Sequence, residues 1–101
     1  MEKRSPHYSL AQVKDHVVRV GIDAFTMTAR RNGFALGLTQ TELIAAVLAL
    51  TRRQFYKSMT SHYDQTLWQD VYHAQLPTGG MAYVKVSDPE TGRPVIQFKE
   101  L

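Results

Sequence analysis

Near residue 55 the spacing of the apolar side chains changes, and with it what this chain can fold into. Leu10, Val13, Val17 and Val20 recur three and four residues apart, with Lys14, Asp15 and Arg19 on other faces, as one stripe of a helix does. Beyond Phe55 the period becomes two: Val84 and Val86 alternate with Tyr83 and Lys85, and Ile96 and Phe98 with Val95, Gln97 and Lys99. Helical spacing followed by strand spacing, with no linker between, predicts an α+β chain. Its N-terminal helices, over about residues 9–50, pack on one face of a mainly antiparallel β-sheet formed by the C-terminal half, about 53–100. At 101 residues there is room for one domain and one modest core.

Local signals set the boundaries. Ser9 can accept from a first-turn amide and Gly21 can close the helix in a left-handed conformation, which predicts a first helix over 9–20. Residues 22–27 read as an edge strand or an extended connector, and Thr28–Ala35 as a shorter second helix ending before Gly37. Thr39-Gln40-Thr41-Glu42 is a capping-box pattern that introduces Leu43, Ile44, Val47, Leu48 and Leu50. A helix apolar over so much of its circumference is expected to be the buried spine. Leu67, Trp68, Val71, Tyr72 and Leu76 fit a helical stripe as well as a strand; their aromatic and β-branched content, between turn signals, favours a strand. Pro77–Gly80 is a turn, and Ser87–Pro94 is a hairpin loop.

Helices on one face leave the other face of the sheet open. Tyr83, Lys85, Gln97 and Lys99 are expected there, opposite in parity to Ala82, Val84, Val86, Ile96 and Phe98. Sheets that bind RNA use such aromatics for stacking and such cations for phosphates. Taken alone, however, the pattern fits an ordinary solvated face better than a binding site.

Composition narrows the chemistry. Twelve Lys and Arg against nine Asp and Glu give a net charge of +3, which suits a polyanion or an acidic protein partner. The absence of cysteine excludes disulfides, thiol nucleophiles and Cys-ligated zinc. The polar opening Met1–Pro6 lacks an apolar signal core, and the apolar run Leu43–Leu50 is too short to span a bilayer, so a soluble, cytoplasmic protein without membrane contact is expected. His7, His16, His62 and His73 lack metal-ligand spacing, and no glycine-rich phosphate loop or nucleophile elbow is present. No metal and no cofactor is therefore expected.

Metal-free RNA cleavage needs less: a group to take the ribose 2′-hydroxyl proton, one to protonate the leaving 5′-oxygen, and a cation for the charge that develops on phosphate. Tyr56, Lys57, Gln69, His73, Tyr83, Lys85 and Arg93, all in the strand half, are residue types that can divide those tasks. Each also has an ordinary structural reading as surface charge or sheet aromatic.

Four blocks carry a more specific signal: Met1-Glu2-Lys3-Arg4-Ser5-Pro6-His7, Phe55-Tyr56-Lys57-Ser58-Met59-Thr60, Trp68-Gln69-Asp70-Val71-Tyr72 and Phe98-Lys99-Glu100. In order and spacing they closely resemble the motility quorum-sensing regulator (MqsR) family, the toxins of type II toxin–antitoxin systems. That resemblance implies a RelE-like fold and a metal-independent, sequence-selective mRNA endoribonuclease, cutting at GC-containing sites and arresting translation. It also implies an MqsA-like antitoxin partner that binds zinc and DNA, so that DNA is met only through the antitoxin complex.

Carried over residue by residue, the family's catalytic lysine, glutamine and tyrosine fall on Lys57, Gln69 and Tyr83. Tyr56, His73, Lys85, Arg93 and Lys99 are then candidates for RNA binding. Lys57 would stabilise the scissile phosphate, or act as a base if burial lowers its pKa. Gln69, which does not ionise, would orient phosphate or base by hydrogen bonds. Its parity carries a test: if Gln69 faces RNA, Trp68 and Tyr72 face inward. Residues 19–42, the turn Pro77–Gly80 and the loop Ser87–Pro94 depart from the family, and His73 stands where a basic residue is expected. The alternatives are a non-catalytic RNA-binding module and an interaction protein for an acidic partner.

Overall fold

A computed structural model describes residues 1–89 and 91–101. Glu90, in the loop expected over 87–94, lies outside the described residues. Helix α1 runs Leu10–Val20, and Ser9 caps it by accepting the Gln12 amide at 3.3 Å. Gly21 takes a positive φ of 60°, and its amide bonds back to the Val17 carbonyl. One 3-10 turn, Gly21–Ala24, then leads to Phe25, which makes a single parallel bridge to Ile96. Of the stretch 22–27, residues 22–26 are thus a connector that meets the sheet at Ile96, and Met27 opens the next helix.

Helix α2 is Met27–Ala35, capped by the Thr26 hydroxyl on the Ala29 amide at 3.0 Å, so it starts one residue before the Thr28 expected from sequence. Helix α3 is Gln40–Leu48, and its capping box is complete: Thr39 Oγ1 accepts the Glu42 amide at 3.1 Å and Glu42 Oε1 accepts the Thr39 amide at 2.9 Å. Leu43 and Val47 on α3 are fully buried, as expected of a spine.

The sheet is an antiparallel meander whose spatial order is its chain order: β1 Glu2–Lys3, β2 Phe55–Thr60, β3 Trp68–Gln75, β4 Met81–Ser87 and β5 Val95–Glu100. The ambiguous segment after Trp68 is therefore a strand. Val13, Val17, Leu43 and Val47 from the helices share one core with Tyr72, Ala74, Val84, Ile96 and Phe98 from the sheet. Three helices in the first half thus cover one face of a sheet that comes chiefly from the second. At the far edge, the Thr26 amide and Asn32 Nδ2 donate to the carbonyls of Ile96 and Phe98 at 3.0 and 2.8 Å. Helix α2 so closes an edge that would otherwise invite another strand.

Strand β1 was not foreseen, because two residues show no period. Tyr72 faces the helices as expected, and Trp68 is on the same side, where the N-terminal segment packs on it. It is half-buried under the N-terminal segment, with the His7 ring stacked on it at 5.4 Å and Lys3 Nζ 4.2 Å from its ring centre.

Candidate active site

Strand register sorts the open face into three rows. Glu2, Met59, Gln69 and Ser87 form the first; Lys57, Val71, Lys85 and Gln97 the second; His73, Tyr83 and Lys99 the third. Rows lie about 7 Å apart along the strands and neighbours within a row about 5 Å apart, so long side chains can meet across them. Lys57, Gln69 and Tyr83 come from three adjacent strands and surround Val71. Although Val71 points away from the helices, it is 0% exposed, so the polar side chains close over it and give them an apolar floor.

A bulge in β2 enriches this face. Phe55 pairs with Tyr72 and Lys57 with Val71, so Tyr56 is an extra residue. Phe55 turns to the core, its ring 5.5 Å from that of Tyr72. Tyr56 instead stacks on His73 at 4.5 Å, on the same face as Lys57. His73 meets Tyr83 edge to face at 5.1 Å, and Lys99 Nζ sits 5.3 Å from the Tyr83 ring centre. The third row is thus an aromatic stack ending in a cation, a surface on which bases can stack.

The lysines differ. Lys57 Nζ donates to Glu2 Oε1 at 2.6 Å, and this bond with the attraction of the carboxylate raises the Lys57 pKa above its ordinary value. Partial burial does not win, so Lys57 stays an ammonium and the reading of it as a base is set aside. Lys85 goes the other way: burial, then the charges of Lys99 and Lys57, lowers its pKa.

Beside Tyr83 and Lys85 the face opens into a cleft of about 610 Å³, lined also by Gln97 and Lys99 of β5 and by Thr28 and Asn32 of α2, with the exposed Tyr63 of the β2–β3 loop at its rim. The structure therefore brings Tyr56, Lys57, Gln69, His73, Tyr83, Lys85 and Lys99 to one face. Arg93 lies elsewhere, lining a groove with His16, Val20 and Asp23. Two residues of the face went unnoticed in the sequence. Glu2 gave no signal because its strand is too short to read, and Tyr63 sits in a polar loop segment without periodicity.

Chemically, this face offers ammonium donors for a phosphate, phenols that can exchange a proton, an amide that can orient a ligand, and a carboxylate at its border. Among known proteins, the chain is similar to the mRNA interferase toxin MqsR of Escherichia coli (strain K12), with 42% identity over 87 residues, which is 86% of this chain and 87% of that protein. Residues 5–100 match the profile described as the motility quorum-sensing regulator, toxin of MqsA. A match over nearly the whole length, through the strands that carry Lys57, Gln69 and Tyr83, places this chain in the motility quorum-sensing regulator family, the toxins of MqsA.

Proposed function

We propose that this chain is a toxin that cleaves mRNA as an endoribonuclease, with Lys57, Gln69 and Tyr83 as the residues that meet the scissile linkage. The observation that carries the reading is their convergence, from three adjacent strands, around the covered Val71 on the open face. Lys57, held as an ammonium, stabilises the negative charge that builds on the phosphate in the transition state. Gln69, half-buried with donor and acceptor on one amide, orients the phosphate or a neighbouring base. Tyr83 exchanges a proton with the reacting oxygens while its ring borders the stack with His73. Lys85, Lys99, Tyr56 and His73 bind the flanking nucleotides through charge and stacking. Arg93, away from this face, reaches RNA only if the strand wraps over the hairpin end.

Cleavage without a metal ion is part of the same proposal, and the experiment in EDTA below tests it. GC-containing sites are the expected targets. The family's description as toxins of MqsA supports a cognate antitoxin that holds this chain in check. A zinc-binding, DNA-binding antitoxin, through which the complex meets DNA, completes the proposal, in the cytoplasm where mRNA is translated. Among the described residues, no helix is long and apolar enough to cross a membrane.

The deciding experiment incubates antitoxin-free protein with a defined RNA in EDTA. Cleavage that persists there and falls about 10²–10³-fold in Lys57→Ala, the usual cost of one transition-state donor, upholds the reading. Binding without cleavage makes the chain an RNA-binding module, and neither makes it an interaction protein.

A further inference from the structure

We propose that Glu2 is a catalytic residue of this chain: its carboxylate, held against Lys57, is the base that takes the proton from the attacking ribose 2′-hydroxyl. The proposal rests on the endoribonuclease reading of the same face and supplies what that reading lacks, a group able to accept a proton at neutral pH.

Elimination comes first. Lys57 is held as an ammonium by its ion pair. Tyrosine is neutral at pH 7 and gives a proton more readily than it takes one, and glutamine does not ionise. His73 has its Nε2 buried and its ring packed against Tyr56 and Tyr83, in the row beyond Lys57, which places it in the stack and away from the Glu2–Lys57 pair. Asp70 is on the opposite side of the sheet, buried beneath the N-terminal segment. Among the described residues, Glu2 is the carboxylate in ion-pair contact with a lysine of this face.

Its placement is built. Chain termini are poorly ordered unless something ties them down. Here the Met1 ammonium donates to Thr60 Oγ1 at 3.0 Å, the Thr60 amide donates to the Met1 carbonyl at 2.9 Å, and Glu2 pairs with Met59. A few residues on, the amides of His7 and Tyr8 are fixed on Asp70. Between these two clamps the register turns Glu2 to the open face, in the row of Met59 and Gln69.

Neither stability nor affinity accounts for a carboxylate there. Glu2 is exposed and Lys57 half-buried, and ion pairs this open to water contribute little to folding. Against RNA, a negative charge beside Lys57 opposes binding, since each neutralised phosphate is what favours association. Catalysis does account for it. An ammonium has three N–H donors; Glu2 takes one, and two remain for the phosphate oxygens. Glu2 Oε2 makes no hydrogen bond among the described residues and is free to face the 2′-hydroxyl.

The step balances. Glu2 takes the 2′-hydroxyl proton, the 2′-oxygen bonds to phosphorus, and the bond from phosphorus to the 5′-oxygen breaks. The leaving oxygen takes a proton from Tyr83, and the products are a 2′,3′-cyclic phosphate and a 5′-hydroxyl. Glu2 then returns its proton to water and the Tyr83 phenolate takes one back from water, so both groups regain their starting forms.

The test is Glu2→Gln, with kcat and KM measured on one RNA across pH in EDTA. The expected result is a fall in kcat of about 10²–10³-fold, within the range for losing a general base, with KM unchanged or lower. The acidic limb of the kcat profile, which reports Glu2 protonation, disappears. An unchanged or higher kcat, or an acidic limb still in place, overturns the proposal and makes Glu2 a competing anion. Circular dichroism at each pH gives the folded fraction by which kcat is corrected, so the limb decides even if the variant is less stable. A wild-type protein that cleaves no RNA overturns the nuclease reading itself; wild-type cleavage with an unaltered Glu2→Gln overturns Glu2 alone.

Discussion

The carboxylate of Asp70 accepts the backbone amide of His7 on both oxygens, at 3.0 and 2.9 Å, and that of Tyr8 at 2.9 Å. Asp70 is 1% exposed and follows Gln69 directly, so consecutive residues of β3 serve opposite faces. One fixes the N-terminal segment, and the next points to the proposed site. Asp70→Ala leaves two amides without their acceptor and a void beneath them, and is expected to destabilise the protein by about 2–4 kcal/mol. Asp70→Asn keeps one acceptor oxygen and loses less. Urea unfolding midpoints check both; an Ala variant within about 0.5 kcal/mol of wild type would remove Asp70 as an anchor.

The parts of this fold that repeat were legible. Val13 and Val17, Leu43 and Val47, and Val84, Val86, Ile96 and Phe98 announced their elements because one apolar face must be buried, and all are in the core. Tyr83, Lys85 and Lys99 were readable as a face by parity alone. What stayed hidden depends on single events. The bulge that turns Tyr56 onto His73 is one extra residue without a compositional mark, and β1 is too short to alternate. Glu2 reaches Lys57 across 55 residues of sequence, a contact fixed by sheet register and by no local pattern. Lys57, Gln69 and Tyr83 could be selected from the other polar residues only by resemblance to a family.

Gly33 records how tightly α2 lies on α3. A Cβ there would stand 2.5 Å from Leu43 Cδ2, and Leu43 has no free surface to move into. Alanine favours a helix interior by about 1 kcal/mol over glycine, but overpacking a filled core costs about 1–3 kcal/mol. The clash wins, so Gly33→Ala is expected to lower the urea midpoint. Because α2 walls the cleft beside Lys99, RNA affinity should fall with it. A more stable variant would show that α2 can shift without cost.

Lys85 gives the site a pH response below that of an ordinary lysine. Burial and the charges of Lys99 and Lys57 lower its pKa, so it loses its proton before an ordinary lysine does. As pH rises through that lowered value the face loses a cation, and affinity for RNA declines. The folded protein then binds fewer protons than the unfolded chain, so stability rises with pH between the lowered value and the ordinary 10.5. Lys99→Gln removes one of the causes, and is expected to move the decline in affinity to higher pH while weakening binding overall. Titrating a 2′-O-methyl RNA, which cannot be cut, against each protein across pH reads this directly. A decline at the same pH in both proteins would mean that Lys99 does not act on Lys85.

Tyr63 is 98% exposed, yet it stands at the rim of the cleft that holds Tyr83 and Lys85. Its loop is shaped from within: the Ser61 amide donates to the Leu67 carbonyl at 2.7 Å, and Asp64 Oδ1 accepts the Thr66 amide at 2.9 Å. The Thr66 hydroxyl also donates to Asp64 Oδ1, and this bond, then that of the amide, lowers the Asp64 pKa, so the loop keeps its tie at neutral pH. An aromatic ring held in water at a cationic cleft contributes nothing to the core, but it offers a face to a base. Stacking of a base on an aromatic contributes about 1–3 kcal/mol, which is about 5–150-fold in affinity. Tyr63→Ala is therefore expected to raise KM within that range and leave kcat at saturating RNA near wild type. Its unfolding free energy in urea should stay within about 0.5 kcal/mol of wild type, as for a surface substitution. Tyr63→Phe keeps the ring and should keep the affinity, because stacking needs no hydroxyl. Equal losses in Ala and Phe would assign the contact to the phenol oxygen, and no loss in either would place the bound strand away from this rim.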